Sequence, residues 1–297
     1  MKLKKDKIFT LTGIVEKEVL APYTSFKIGG PAKYFFVAKS NKDVIKAIKI
    51  AKENEINYFI LGNGSNILVS DKGFDGLVIK MENTSIEIKD EFVTAEAGVK
   101  VQKLIRETIT NNLSGLEYLI GIPGTLGGGV AGNIGTPNLW IDKNLVEVYI
   151  LNSKNMEETL LKSQCDFSYR YSRFKNNDQE IILGAKFKLL KSNQKLIQQN
   201  VKEFLSKRIH QPVNQPCAGS IFKNPEDHKS WQLIDEVKLR GKRIGGAKVS
   251  EEHSNFIINT GKATAEDVVV LISLIKQQVR DKLGIQLNEE IKYIGFD

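Results

Sequence analysis

One segment of the chain is far richer in glycine than the rest. Residues 121–135, Gly-Ile-Pro-Gly-Thr-Leu-Gly-Gly-Gly-Val-Ala-Gly-Asn-Ile-Gly, hold seven of the protein's 24 glycines. Glycine has no Cβ, so it permits positive φ angles and lets another group approach the backbone closely, at a cost in conformational entropy. Backbone N–H groups that converge in such a segment suit phosphate oxygens. The segment therefore predicts a ligand bound against bare backbone.

A flexible surface loop is the alternative interpretation of this glycine stretch. Apolar side chains are spaced through it, at Ile122, Leu126, Val130, Ala131 and Ile134. A solvated linker does not carry such residues. The pattern favours the ligand-binding interpretation, although the segment by itself names no ligand.

A second glycine motif follows a short apolar run. The run Tyr58–Leu61 leads into Gly62-Asn-Gly-Ser-Asn66, and a further apolar run, Ile67–Val69, comes directly after it. A strand that ends in glycines with serine and asparagine donors is suited to cradle a diphosphate. A hairpin turn explains the motif equally well, so both interpretations stay open.

Hydrophobic periodicity predicts alternating helices and strands. The clearest helix is the last, where Thr264 and Asp267 form a capping box and Gly284 marks the end. Two strands, Leu145–Leu151 and Ile181–Leu190, are expected to return the chain to the first sheet. The predicted helices are Asn41–Glu55, Val101–Asn111, Leu196–Ile209 and Thr264–Leu283, and the other predicted strands are Lys33–Ala38, Tyr58–Leu61, Ile67–Val69, Leu77–Lys80, Phe92–Ala97 and Leu287–Gly295.

Length and charge narrow the class of protein. A chain of 297 residues favours two or three domains, and a net charge of +8 favours anionic partners. The lysines are dispersed and lack interleaved aromatic residues, so no nucleic-acid partner is expected. No signal peptide or membrane span is predicted, which favours a cytoplasmic location. Two cysteines and three scattered histidines predict neither a disulfide framework nor a metal site.

Two further segments contain candidate functional residues. Four aromatic residues with Arg170 and Arg173 lie within Cys165–Phe174, and this set suits either a stacking surface or a core around one buried guanidinium that recognises carboxylate or phosphate. The segment Ala218–Pro225 contains a serine without the partners of a hydrolase triad, so taken alone it predicts only a turn and a strand.

Taken together and in order, these segments resemble one family, the UDP-N-acetylenolpyruvoylglucosamine reductases (MurB) of peptidoglycan synthesis. Each motif alone is weak, but their order along nearly the whole chain is specific. The matching segments are Thr24–Pro31, Leu61–Leu68, Gly121–Gly128, Tyr169-Arg170 with Ser172, Ala218–Pro225, Ile244–Ala247 through His253–Phe256, and Leu287–Gly295.

The resemblance implies an α+β fold. Residues 1–190 would form an FAD-binding domain of the vanillyl-alcohol-oxidase (PCMH) type, in two subdomains of about 1–78 and 79–190. Residues 191–297 would form an α+β substrate-binding domain. The stretch between Arg170 and Ser220 is short, and a predicted strand and a predicted helix take up most of it. Little room is left for the tyrosine-bearing loop of the first type of the family. The chain therefore resembles the second type, which lacks that loop.

The resemblance also implies the reaction. NADPH would reduce FAD, and the flavin N5 would deliver a hydride to UDP-N-acetylglucosamine enolpyruvate, giving UDP-N-acetylmuramate for cell wall biogenesis in the cytoplasm. The expected enzyme is a monomer. The residues expected to bind the flavin are Leu61, Gly62, Asn63, Gly64, Ser65, Asn66 and Ile67, together with Gly121, Ile122, Pro123, Gly124, Thr125, Gly127, Gly128, Gly132 and Asn133.

The catalytic residues implied by the resemblance are Arg170, Ser220 and Glu290. Hydride addition to an enolpyruvyl ether builds negative charge beside and on the carboxylate, so the site needs hydrogen-bond donors and a proton source. Arg170 and Glu290 would stabilise the charge, and Ser220 would deliver the proton. Tyr169, Lys223 and Asn224 would contact the substrate.

One segment departs from the family pattern. Where the family continues Asn-Ala-Gly-Ala-Tyr-Gly, this chain has Asn133-Ile-Gly-Thr-Pro-Asn-Leu-Trp140. Two further hypotheses stay open from the sequence alone. One is an FAD enzyme of the same cofactor fold with another substrate, and the other is a basic nucleic-acid-binding protein without a cofactor.

Overall fold

The chain is organised as two compact units. The computed structural model describes residues 8–175, 177–212 and 214–296. Unit 1 takes in the described residues of Met1–Val15, Phe35–Asn63 and Leu77–Ile209, and unit 2 takes in those of Glu16–Tyr34, Gly64–Gly76 and His210–Asp297. These units and the domains predicted from the sequence are different divisions of the chain, and the domain boundaries stay a prediction.

Short strands and a few longer helices make up both units. The strands are β1 (Val15–Val19), β2 (Pro31–Ala38), β3 (Tyr58–Leu61), β4 (Ile67–Val69), β5 (Phe74–Met81), β6 (Ile86–Lys89), β7 (Phe92–Glu96), β8 (Leu113–Ser114), β9 (Gly135–Thr136), β10 (Leu139–Trp140), β11 (Leu145–Leu151), β12 (Glu157–Leu161), β13 (Ile181–Lys188), β14 (Leu190–Lys191), β15 (Cys217–Ser220), β16 (Arg243–Ile244), β17 (Ala247–Val249), β18 (Phe256–Asn259) and β19 (Lys292–Ile294). The α-helices are α1 (Asn41–Glu53), α2 (Val101–Thr110), α3 (Leu126–Ala131), α4 (Gln194–Ser206), α5 (Ser230–Glu236) and α6 (Ala265–Leu283).

The largest sheet belongs to unit 1. Its five antiparallel strands have the order β12-β11-β13-β7-β6, and β13 is buried along nearly its whole length, as a central strand should be. A separate sheet has the order β1-β2-β5-β3, in which β3 pairs in parallel with β5 from Tyr58–Leu77 to Leu61–Lys80. Most apolar side chains of β2 and β5 in this sheet are buried.

The prediction that β11 and β13 return the chain to the first sheet is wrong. They pair with each other and, through β13, with β7, where Gly184 lies opposite Glu96. The local hydrophobic pattern also does not predict β6 and β12, which contain exposed charged residues and are only partly buried. Strand pairing depends on contacts between distant segments, which the local hydrophobic pattern does not specify.

The helices begin where their capping residues predict. The Ser40 side chain accepts a hydrogen bond from the backbone N–H of Asp43 at the start of α1. At the start of α6, Thr264 and Asp267 form the predicted capping box, and Gly284 ends the helix at φ 70°. Each cap satisfies backbone groups that the helix itself leaves unbonded. Both predicted helices are therefore confirmed, with α1 ending two residues earlier than expected.

Unit 2 has its own sheet and core. The antiparallel strands run in the order β15-β18-β17-β16, and a parallel pair, β19-β4, joins Lys292 to Ile67 and Ile294 to Val69. The buried face of α6 packs against this core, which includes Phe222, Ile257, Leu271 and Ile275. The predicted strand Leu287–Gly295 is shorter than expected, since only Lys292–Ile294 is a regular strand. Within the described part of the chain, every helix is too short or too polar to cross a bilayer.

Candidate active site

The two glycine-rich segments meet in unit 1. Gly62 follows β3 directly, and a Cβ built on it would lie 2.4 Å from Oγ1 of Thr125. Such a distance is a severe overlap, so only glycine fits at position 62 without a shift of Thr125. The tertiary structure thus brings together two motifs that are far apart in the sequence.

Lys80 supports the Gly62 turn from the neighbouring strand. It pairs with Leu61 in the register of β3 and β5, and its Nζ donates a 2.7 Å hydrogen bond to the Gly62 carbonyl oxygen. Burial lowers the pKa of Lys80, the nearby carboxylate of Glu82 raises it, and the positive charge of Lys100 lowers it further. Lys80 could not be predicted as part of the site, because one lysine in a strand carries no local signal.

Part of the glycine stretch is a short helix. It forms α3, in which the side chains of Leu126 and Val130 are buried. A Cβ on Gly127 would lie 2.9 Å from the Ala97 Cβ, and one on Gly129 would lie 2.8 Å from Cδ1 of Ile134. Close packing therefore accounts for these two glycines, so the approach of a ligand is not needed to explain them.

Two backbone N–H groups of the stretch are already bonded within the protein. The N–H of Leu126 donates to the Val99 carbonyl oxygen, and that of Gly127 donates to Ala97, both at 2.8 Å. Those two groups fix α3 against the chain that follows β7. The expected convergence of successive N–H groups on a phosphate therefore does not extend to them.

Gly128 is different from its neighbours. The nearest atom to a Cβ built there is Oγ1 of Thr125, at the ordinary contact distance of 3.6 Å. The protein's own packing therefore does not require glycine at position 128. Close approach of a ligand to the backbone would require it. Gly62 and Gly128 form a bare-backbone surface beside Oγ1 of the buried Thr125, and this surface fits a cofactor that carries a diphosphate.

Gln102 holds the start of the stretch. Its Nε2 donates to the Ile122 carbonyl oxygen at 2.8 Å, and its Oε1 accepts from the N–H of Gly121 at 3.2 Å. Gln102 lies on α2, so the helix fixes the conformation of the segment Gly121–Ile122. This is a second positioning residue that the sequence analysis did not identify.

Arg170 is bound to the end of the stretch. Its Nη1 and Nη2 donate to the carbonyl oxygens of Asn133 at 3.5 Å and Gly135 at 3.3 Å. Asn133 is buried and its Nδ2 donates to the Ser168 carbonyl oxygen at 2.9 Å. The backbone of Arg170 is left-handed, with φ 54°. The guanidinium is therefore oriented by the glycine stretch itself.

The segment that departs from the family pattern forms a hairpin beside Arg170. Gly135 pairs with Trp140, and a Cβ on Gly135 would lie 2.0 Å from the Leu139 carbonyl oxygen. The ring centroids of Trp140 and Tyr169 are 6.3 Å apart, and the Arg170 guanidinium lies 5.7 Å from the Tyr169 ring centroid. The altered sequence thus places Trp140 against Tyr169, the ring nearest to the arginine.

Ser220 lies in unit 2 at the end of β15. It pairs with Phe256 of β18, and the preceding Gly219 has a φ of 76°. This left-handed conformation favours glycine and accompanies the irregular register of the strand. The Gly219 backbone faces the second glycine motif, since a Cβ built on it would have the Ser65 carbonyl oxygen as its nearest atom, at 3.9 Å.

Asn255 fixes the strand that carries Ser220. Its Oδ1 accepts from the N–H of Phe222 at 3.0 Å, and its Nδ2 donates to the Phe222 carbonyl oxygen at 2.9 Å. Its own carbonyl oxygen accepts from the N–H of Ile221 at 2.9 Å. Asn255 is 4% exposed, so these bonds are shielded from water. Asn255 belongs to the motif His253–Phe256, but the sequence of that motif does not predict these bonds to the Phe222 backbone.

Glu290 is joined to the same strand. Its backbone N–H donates to the Ile221 carbonyl oxygen at 2.7 Å, and its own carbonyl oxygen accepts from Nδ2 of Asn66 at 3.1 Å. The backbone of Lys292 also donates to the Asn66 carbonyl oxygen, at 3.0 Å. Unit 2 therefore brings three predicted segments together, those of Asn66, Ser220 and Glu290.

The adjacent Glu289 has a separate set of partners. Lys276 on α6 donates to its Oε1 at 2.6 Å. Burial and a hydrogen bond to Glu289 raise the pKa of Tyr293. The carboxylate of Glu289 is thus engaged with α6 and β19, which separates its role from that of Glu290.

The predicted substrate contacts lie on two segments. The N–H of Lys223 donates to the Asn288 carbonyl oxygen at 2.8 Å, and Oδ1 of Asn224 accepts from the N–H of Ser230, at the start of α5, at 3.0 Å. Tyr169 lies in unit 1 with Arg170, whereas Lys223 and Asn224 lie in unit 2 with Ser220 and Glu290.

The chain is similar to known proteins over nearly its whole length. An FAD binding domain model matches residues 32–154, and a model of the UDP-N-acetylenolpyruvoylglucosamine reductase C-terminal domain matches residues 211–294. The chain is 41% identical over 285 residues to the UDP-N-acetylenolpyruvoylglucosamine reductase of Carboxydothermus hydrogenoformans, covering 95% of this chain and 94% of that relative. The enzyme of the same name from Bacillus pumilus is 37% identical over the same coverage.

A solved structure is similar as well. UDP-N-acetylenolpyruvylglucosamine reductase (MurB) from Thermus caldophilus has a TM-score of 0.82 and 31% sequence identity, covering 95% of this chain and 98% of that one. The fold and the matching family models define an FAD-binding α+β protein of the vanillyl-alcohol-oxidase type with a C-terminal domain of its own. The predicted fold class is therefore confirmed. More particularly, the chain belongs to the UDP-N-acetylenolpyruvoylglucosamine reductase (MurB) family.

Proposed function

We propose that this chain reduces UDP-N-acetylglucosamine enolpyruvate to UDP-N-acetylmuramate, with Arg170, Ser220 and Glu290 as its catalytic residues. The reaction follows from membership of a family of FAD-dependent reductases that use NADPH and serve peptidoglycan synthesis. The observation that carries the proposal is the hydrogen-bonded junction of the Asn66, Ser220 and Glu290 segments in unit 2. A flavin loop, a hydroxyl donor and a carboxyl group are thereby held on one scaffold.

The bare-backbone surface of unit 1 is assigned to the cofactor. Gly62, Thr125 and Gly128 would hold the diphosphate end of FAD, with Lys80 fixing the Gly62 turn. The remaining predicted contacts of Leu61–Ile67 and Gly121–Asn133 belong to the same proposal. When bound and reduced by NADPH, FAD supplies a hydride from N5 to the enolpyruvyl carbon distal to the carboxylate.

Ser220 is assigned as the proton donor. Hydride addition leaves negative charge on the carbon beside the carboxylate, and the Ser220 hydroxyl transfers its proton to that carbon. Water then reprotonates the serine. A serine hydroxyl is a weak acid, so its competence depends on a carbanion held directly beside it. The hydrogen bonds of Asn255 to Phe222 support this role, because they restrain the strand that carries the hydroxyl.

Arg170 and Glu290 are assigned to stabilise the negative charge that develops on the substrate. The Arg170 guanidinium is oriented by two backbone carbonyl groups and suits the substrate carboxylate. Glu290 would stabilise the enolate-like intermediate together with Arg170. Tyr169, Lys223 and Asn224 are proposed to contact the rest of the substrate.

The two parts of the chain are assigned different ligands. We assign flavin binding to residues 1–190 and substrate binding to residues 191–297, in support of which the two family models match residues 32–154 and 211–294. A cytoplasmic, monomeric enzyme of the second type, without the tyrosine-bearing loop, is part of this proposal.

The test is spectroscopic. Purified protein is expected to be yellow or to take up FAD, to lose its flavin absorbance with NADPH, and to recover it on addition of UDP-N-acetylglucosamine enolpyruvate. Colourless protein that binds no FAD would contradict the proposal. Flavin reduction without reoxidation by this substrate would leave an FAD enzyme of another specificity.

A further inference from the structure

Two adjacent glutamates lie where the chain approaches β19, and the proposed function uses only the second. Their segment pairs with the residues that follow β15. The N–H of Glu290 donates to the Ile221 carbonyl oxygen at 2.7 Å, and Glu289 forms an antiparallel bridge with Phe222. Neighbouring residues of an extended segment point to opposite faces, so the register decides which carboxylate faces which way. A slip of one residue would exchange the faces of Glu289 and Glu290.

Glu289 lies among residues of the unit 2 core. Phe222, its partner across the bridge, is buried, and so are Leu287 and Ile291, two positions before and after it. A carboxylate in such surroundings loses part of its hydration and must be compensated by charged or hydrogen-bonding partners. This register therefore costs free energy unless Glu289 has such partners.

Lys276 and Tyr293 are partners of Glu289. Nζ of Lys276, on α6, lies 2.6 Å from Oε1 of Glu289, and the two side chains are 33% and 22% exposed. The pair is thus partly shielded from water, where an ion pair is stronger than at an open surface. Burial and a hydrogen bond to Glu289 raise the pKa of Tyr293, so its hydroxyl keeps its proton for that bond. Both partners hold the Glu289 carboxylate beside α6 and β19.

The face to which Glu290 points follows from that of Glu289. We propose that Lys276 is a positioning residue for the reaction. Its ion pair holds Glu289 toward α6, and the paired segment then turns Glu290 to the opposite face, where the proposed function needs its carboxyl group. Lys276 acts through Glu289 and does not itself contact the substrate. The inference rests on the proposed function for the role of Glu290.

Two single variants and one charge-reversed double variant test the ion pair. Lys276→Met removes the charge and keeps the apolar length of the side chain. Lys282→Met is the matched control, because it removes an exposed lysine of the same helix. Lys276→Glu combined with Glu289→Lys reverses both charges and keeps their attraction. Stopped-flow absorbance on the holoenzyme measures flavin reduction by NADPH and flavin reoxidation by UDP-N-acetylglucosamine enolpyruvate, and thermal unfolding is measured for each variant.

Lys276→Met is expected to slow reoxidation of the flavin by substrate about tenfold, because a small displacement of a catalytic group costs that much or more. Its reduction by NADPH should stay within about twofold of the parent, as should both half-reactions of Lys282→Met, since a surface substitution has effects of that size. The charge-reversed variant should recover most of the reoxidation rate that either single reversal loses.

A double-mutant cycle separates positioning from a general structural role. In a Glu290→Gln background the group that Lys276 positions is already lost, so Lys276→Met should change the reoxidation rate by less than about twofold. Equal slowing by Lys276→Met in the parent and in this background would overturn the inference, since the ion pair would then serve stability alone. Reoxidation at the parent rate in Lys276→Met would overturn it as well.

The charge-reversed variant decides the matter if Lys276→Met fails to fold. Recovery of reoxidation in that variant supports the inference, and slow reoxidation in the folded variant contradicts it. Glu290→Gln alone tests the proposed function. Reoxidation at the parent rate in Glu290→Gln would remove Glu290 from the catalytic residues, whereas slow reoxidation there with parent-like Lys276→Met would leave the proposed function intact and remove only the inference.

Discussion

Asn255 binds both hydrogen-bonding groups of the Phe222 backbone, at 3.0 Å and 2.9 Å. Phe222 comes two residues after Ser220, and its neighbour Ile221 also receives the Glu290 N–H. A single buried amide therefore restrains the segment that joins the two catalytic candidates of unit 2. In an antiparallel sheet such bonds come from a neighbouring strand, whereas here a side chain supplies them.

Asn255→Ala is expected to lower the free energy of unfolding by roughly 2–4 kcal/mol, since each buried polar group left without a partner costs about 1–3 kcal/mol. It should also slow reoxidation of the reduced flavin by substrate more than reduction by NADPH. Asn259→Ala is the control, because it removes a buried bond to the Phe26 carbonyl oxygen elsewhere in unit 2. Equal slowing of substrate turnover in both variants would assign Asn255 to stability alone.

Ser220→Ala is expected to leave flavin reduction by NADPH unchanged and to lower substrate turnover by roughly 10²–10⁴-fold, the usual contribution of a positioned proton donor. Stopped-flow absorbance measures the two half-reactions separately. Cys217→Ser changes another residue of the same strand and serves as the control, which should keep the rates of both half-reactions. Loss of both half-reactions in Ser220→Ala would speak against the proton-donor role.

Gly128→Ala is expected to weaken FAD binding without weakening the fold. The added methyl group meets nothing closer than 3.6 Å in the protein, and replacing glycine by alanine inside a helix stabilises by about 0.5–1 kcal/mol. Gly129→Ala provides the contrast, because its methyl group would lie 2.8 Å from Cδ1 of Ile134 and should destabilise α3. Thermal unfolding without flavin and FAD titration distinguish the two. Unchanged FAD affinity in Gly128→Ala would remove Gly128 from the cofactor site.

His253 is expected to make the stability of the protein depend on pH. Burial and then the charge of Arg240 lower its pKa below 6.5, outweighing the opposite effect of Asp235, and its Nδ1 accepts from the N–H of Asn255 at 3.3 Å. The unfolded chain therefore takes up a proton before the folded chain does. The contribution is complete above pH 6.5 and is lost as the pH falls below that value.

Denaturant unfolding between pH 5 and pH 8 measures this effect of His253. His253→Gln should flatten the decline at low pH, whereas His228→Gln, at an exposed site, should keep it. An unchanged slope in His253→Gln would show that other groups cause the decline.

Local sequence patterns are sufficient to predict much of the secondary structure and the family to which the chain belongs. The boundaries of β3, β4 and β11 and the caps of α1 and α6 follow from patterns within a few residues, because helix capping and strand alternation are local effects. The glycine stretch of residues 121–135 likewise predicts a ligand from sequence alone, whereas the Gly62–Asn66 motif suits a hairpin turn equally well. The charge of the chain was consistent with anionic ligands but did not choose among them.

Only the tertiary structure decided which segments meet. The pairing of β11 and β13 with β7, the contact of Gly62 with Thr125, and the bonds of Asn255 to Phe222 all join residues far apart in the chain. The different reasons for glycine at positions 127 and 128 also appear only in three dimensions. These features depend on distances between packed elements, and a sequence pattern reports the character of a side chain but not the atom that it will face.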